Sequence, residues 1–135
     1  MNRNIAYWAS TGLFGLVLTF SGAAHLARLE LIAESMTGLG YPLYVMTILG
    51  VAKLVGVAAL LAPGKPLLKE WAYAGFTFNL LAAAASHVFA GDPLPAALPP
   101  LVLLSLCAAS YTLRPAERRL PGATAPEAPR ANFSV

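Results

Sequence analysis

The chain has 135 residues, of which 58% are hydrophobic and 11% charged, with a formal net charge of +3. An average soluble domain carries about 25% charged residues, and a chain this short has too much surface for its volume to hide the deficit in its interior. This excludes a soluble globular fold. The basic residues are spread along the chain, which excludes a nucleic-acid patch, and the single cysteine, Cys107, excludes dithiol redox chemistry within one chain.

Four apolar runs approach or exceed the roughly 17–25 residues that cross a bilayer as a helix; they cover about 5–27, 42–62, 70–90 and 96–113. The first is longer than the roughly 7–15 apolar residues of a signal peptide, so it reads as a retained helix. Its Gly12, Gly15, Thr19 and Gly22 form a seam of small side chains of the kind helices need to associate in lipid. Residues 28–41 follow, with Leu29, Leu31, Ile32 and Met36 set among charges, and predict a short amphipathic helix on the membrane surface. The second run carries Lys53 between Gly50 and Gly56. Pro63, Gly64 and Pro66 then predict a turn through the stretch APGKPLLK. The third run offers Gly75, Asn79, Ala83 and His87 at four-residue spacing, and the fourth Ser105, Ala108, Ala109 and Thr112. From about Leu120 the composition turns to Pro, Ala and Arg without apolar periodicity, which predicts a disordered tail at 120–135 behind a membrane domain at 1–119.

Short connections between spans favour an antiparallel up-down bundle of four transmembrane helices, an all-α polytopic fold. Seven basic residues (Arg3, Lys65, Lys69, Arg114, Arg118, Arg119 and Arg130) fall on one side of such a bundle, against Arg28 alone on the other. By the positive-inside rule both termini are expected to be cytoplasmic.

Lys53 is the anomaly. At 1.5 Å per residue it lies roughly 14–15 Å from either end of its helix, too deep for its side chain to reach the interface. Exposed to lipid there it would cost at least about 2.5–3.5 kcal/mol, so it is expected to face the bundle interior. The only other strongly polar group at that depth is Asn79, which cannot neutralise it. That leaves an anionic or carbonyl-bearing ligand, a lost proton, or a purely structural pairing with Asn79 and backbone carbonyls. His25 and His87, near the same ends of their helices, are candidates for a common outward cavity with Tyr41 or Tyr44 and Ser21 or Ser86, as a polar binding or proton-relay site or a bis-histidine haem site; the alternative is a hydrated or hydrogen-bonded histidine at each place. Glu70 completes the candidates, at the opposite end of the third span. No metal-ligand cluster, phosphate loop or nucleophile triad stands out.

The stretches GVAKLVGVAALLAP, LKEWAYAGFTFNLLAAAASH and ALPPLVLLSLCAASYTLRP, with YWASTGLFGLVLTFSGAAHL before them, resemble the DoxX-like family of small bacterial membrane proteins over about 7–119. The resemblance implies a four-helix membrane bundle, and its wider relatives include subunits of quinone-linked oxidoreductases and an assembly chaperone. Lys53, Glu70, Trp71, Tyr73 and His87 match the family pattern, whereas Asn79 stands where an aspartate is frequent, which removes a simple Lys–Asp ion pair. Three function classes stay open. The first is an accessory or small-ligand-binding subunit, possessing no electron carrier of its own but linked to redox chemistry through a quinone, haem or partner. The others are an assembly factor that holds membrane partners, or copies of itself, and a small transporter.

Overall fold

The computed structural model describes residues 2–122, which contain five α-helices and no strand. They are α1 (Arg3–Leu26), α2 (Glu30–Gly38), α3 (Tyr44–Leu61), α4 (Pro66–Phe89) and α5 (Leu98–Leu113), the last preceded by a 3-10 turn at Leu94–Ala97. Of the tail expected to be disordered, residues 123–135 lie outside the described residues.

Local signals set the helix ends. Asn2 caps α1 by accepting from the Asn4 amide at 3.1 Å. Three helices close in the same way, with an amide one residue past the cap bonding back into the last turn and the next amide reaching a carbonyl five residues earlier. In α2 and α4 the left-handed residue this turn demands is Gly40 (φ 87°) and Gly91 (φ 77°); in α1 it is Arg28 (φ 51°). Pro66 opens α4, where its missing N–H costs nothing. The helix therefore starts at Pro66 and not near Glu70, and Lys69 belongs to its first turn, not to a loop.

α1, α3 and the stretch Leu94–Leu113 are long and apolar enough to cross a membrane. α4 matches α1 in length but carries Lys69, Glu70, Asn79 and His87, and falls outside that set. The four long helices close a ring, α1 packing on α3 and α5, and α4 on α3 and α5. α2 touches α1 and leaves Leu31 exposed. The ring's centre holds Phe14, Leu18, Val57, Leu60, Tyr73, Phe76, Leu80 and Cys107. Phe14 meets Phe76 edge to face at 5.3 Å between centroids, an arrangement worth about 0.5–1.5 kcal/mol beyond burial.

The expected seam on α1 divides. Gly15 and Gly22 pack on α3, where a Cβ on Gly50 would lie 2.9 Å from the Gly22 carbonyl oxygen. Only glycines permit so close an approach. Gly12 has nothing near it. On α5 the buried small residue is Ser110, completely covered, while the expected Ser105 turns back to its own helix at the Leu101 carbonyl.

Candidate functional site

One face of α1 carries Tyr7, Thr11, Phe14, Leu18, Gly22 and His25, all buried. The apolar pair in the middle separates two polar regions. In the first, Thr11 and Ser110 hydroxyls lie 2.6 Å apart and Ser110 meets the Tyr73 hydroxyl at 2.7 Å, so three helices share one hydroxyl cluster. This cluster sits at the end of the ring where α3 and α5 finish.

The same end gathers the basic residues. An α-helix leaves its last four carbonyls without partners, and in α3 these are taken by two side chains from elsewhere. Lys69 Nζ donates to the Ala59 and Ala62 carbonyls, and Arg118 Nη2 to those of Leu60, at 2.8 Å, and Leu61. Arg3 and Arg119 both donate to the Thr112 carbonyl at the end of α5. Arg114, almost wholly buried, lies 4.1 Å from the Tyr111 ring centroid and 5.0 Å from that of Tyr73. Its Nη1 is 2.7 Å from Glu70 Oε1, in an orientation that makes the contact an ion pair more than a hydrogen bond. Glu70 is thus the counter-ion of Arg114. Sequence reasoning missed Lys69, Arg114, Arg118 and Ser110. Their signal was positional, since each lies within a turn or so of a helix end that needs partners.

The second polar region surrounds Lys53. The Gly22–Gly50 approach brings α1 close to the middle of α3, and Lys53 Nζ reaches Ser21 Oγ at 2.9 Å. His25 Nδ1 lies 2.7 Å from the Ser21 carbonyl oxygen, which assigns it the ring proton; Nε2, 3.3 Å from Lys53 Nζ, is then the acceptor. The expected pairing of Lys53 with Asn79 is therefore replaced. A neighbour on α1, reached across two glycines, offers an acceptor closer than the amide on α4 does.

Lys53 and Asn79 instead share a cavity of about 320 Å³ between α3 and α4. Leu49, Gly56 and Ala59 line one wall, and Leu68, Trp71 and Gly75 the other. Gly56 admits Phe76 at a distance no Cβ would allow, and Gly75 leaves its side of the cavity open. The Asn79 side chain makes no hydrogen bond among the described residues.

The two histidines do not share a site. His25 is committed to Ser21 and Lys53, while His87 Nδ1 pairs with Asp92 Oδ2 at 2.7 Å. Tyr41, expected beside them, bonds Ser86 across hydroxyls 2.6 Å apart. Haem does not fit this arrangement, because the His25 nitrogen free to take iron faces an amine. No group of three or more His, Cys, Asp or Glu side chains among the described residues is placed to hold a metal.

Comparison with curated proteins and with solved structures finds no significant match. A family model does match, over residues 9–110, which takes in the Lys53 region, the cavity and the whole hydroxyl cluster. The chain belongs to the DoxX-like family.

Proposed function

We propose that this chain is a small-ligand-binding subunit of a bacterial cytoplasmic membrane, with α1, α3, α4 and α5 crossing as an antiparallel bundle and both termini in the cytoplasm. α4 qualifies as a fourth span on packing grounds. Its charged residues have cover or partners, since Lys69 is covered, Glu70 pairs with Arg114 and His87 with Asp92, and Asn79 lines the cavity beside Lys53. The orientation follows from the basic residues gathered where α3 and α5 end.

The observation that carries the binding role is the unfinished coordination of Lys53. An ammonium group has three donors. Ser21 and His25 account for two, and the remaining wall of the site is a mostly apolar cavity whose carboxamide, Asn79, is also unengaged among the described residues. Intramembrane cations persist where they meet a partner or line a pathway, so the partner is a molecule that enters the cavity. The chain has no dithiol pair and no haem-ready histidines, so any link to quinone or other redox chemistry runs through that molecule or through a partner subunit.

The test is purification in mild detergent followed by mass spectrometry of extracted small molecules, wild type beside Lys53→Met. The expected result is a molecule present in the wild type and lost from the variant. Equal recovery from both, or nothing from either, overturns the binding role.

A further inference from the structure

The cavity's shape and charge specify its occupant more narrowly. From Leu49 to Ala59 along α3 is about 15 Å at 1.5 Å per residue, and the α4 wall from Leu68 to Asn79 is of similar length. The turn at Pro63 and Gly64 joins α3 to α4, so Ala59 and Leu68 lie near it while Lys53 and Asn79 lie far from it. The slot is therefore polar at its deep end and apolar along the rest. A second cavity lined by Gly64, Lys65, Pro66 and Leu67 adjoins it at Leu68 and Trp71, extending the slot toward the turn with Lys65 as the charged residue of its lining. Trp71 and Val55 are largely exposed along the wall, which puts the opening on the lipid-facing side of the ring.

At about 320 Å³ the main cavity is near the lower limit of the roughly 300–1,000 Å³ typical of small-molecule sites. That is on the scale of one hydrocarbon chain. The deep end offers a positive charge and a carboxamide, and no acidic side chain lines it. Electrostatic complementarity then calls for a compact monoanion with two acceptor oxygens, one for Lys53 Nζ and one for the Asn79 amide. A carboxylate meets both demands.

Building on the ligand-binding role of Lys53, we infer that the cavity takes a single-chain amphiphile with a carboxylate head, a free fatty acid in chemical class, which enters sideways from the bilayer. The head lies between Lys53 and Asn79, and the chain runs past Gly75 and Trp71 toward the Pro63–Lys65 turn. Lys65 is the competing anchor, but it sits in an exposed connection where an ion pair is worth little.

The geometry supplies its own reporter, because Trp71 lines the chain's path. In a Trp8→Phe background, protein in nanodiscs is titrated with a fatty acid brominated mid-chain, and quenching of Trp71 is followed with and without the unbrominated acid as competitor. The expected result is saturable, competed quenching that Lys53→Met weakens by about tenfold or more, the scale of one hydrogen bond to a charged group. The brominated methyl ester of the same acid should show no saturable component. Gly75→Leu is a second variant that does not touch the polar groups. A Cβ there meets nothing within 4 Å, so the new side chain can fill the slot, and competed quenching should vanish.

If ester and acid bind alike, the carboxylate assignment is wrong while ligand binding at Lys53 stands. If Lys65→Met abolishes binding and Lys53→Met does not, the orientation is reversed and the inference fails. If neither probe shows a competed component yet the purified protein carries a Lys53-dependent molecule, the amphiphile class is wrong and the binding role survives. Loss of both removes both.

Discussion

Lys69 and Lys53 are both cations drawn away from water, and the protein accommodates them in opposite ways. Lys69 is 1% exposed, more deeply covered than any other lysine described, yet its donors meet the carbonyls that α3 must leave open at its end. A cation at a helix C-terminus also faces the negative pole of the helix dipole. Lys53 sits mid-helix, where every backbone carbonyl already has an amide partner, so its contacts come only from side chains, Ser21 and His25. Burial alone therefore does not mark a functional cation. On the proposed ligand-binding role, what marks one is burial away from any helix end, beside space the protein does not fill.

The sharpest way to break this comparison is Lys69→Met. It leaves the buried Ala59 carbonyl and the part-buried Ala62 carbonyl without their side-chain donor, at about 1–3 kcal/mol for the buried one and less for the other. We expect it to lower thermal stability in detergent more than any other single change discussed here, with Lys69→Arg recovering part of the loss. A Lys69→Met protein as stable as the wild type would mean that α3 does not rely on this cap.

Gly50→Leu is next. The new side chain would meet the Gly22 carbonyl and the Leu26 side chain at less than contact distance, and overpacking of that kind costs about 1–3 kcal/mol. Because the same crossing carries Ser21 to Lys53, the variant should lose stability and ligand together, which Lys69→Met should not. Ser110→Ala follows, at about 1–2 kcal/mol. It removes the one hydroxyl that joins Thr11 to Tyr73, and should leave ligand binding intact because Phe14 and Leu18 separate that cluster from Lys53.

The same contrast explains what could be read from the sequence. Helices and turns follow from composition and local chemistry, and the structure places them within a few residues, except that Pro66 starts α4 a full turn early. Lys53 was legible because depth along one helix is a one-dimensional quantity. Its partner was not. Depth pointed to Asn79, but partner choice depends on which helix comes nearest, and the Gly22–Gly50 crossing decides that in favour of α1. The two histidines were misjoined for the same reason, since equal depth on two helices does not establish a common face. Lys69 was overlooked because positive residues at a span's end already had a sufficient reading as topology signals. Arg118, nearly sixty positions beyond the carbonyls it caps, could be assigned that task only once the ring was closed.

The smallest expected effect on stability is also the most discriminating. Lys53→Met removes an ammonium group whose desolvation is compensated by only two side-chain partners, so the cost of losing those hydrogen bonds is offset by the cost of keeping the charge. Ser21 can turn its hydroxyl to a carbonyl of its own helix, as Thr19 does with Gly15, leaving His25 Nε2 as the one group without a donor. Thermal stability should stay within about 1 kcal/mol of the wild type, while the bound molecule is lost. If Lys53→Met instead unfolds the protein as Lys69→Met is expected to, then Lys53 serves as a strut between α1 and α3. If it changes neither stability nor ligand content, the cavity is only a gap between two helices. A stable protein emptied of its ligand is the result that separates a binding cation from a capping one.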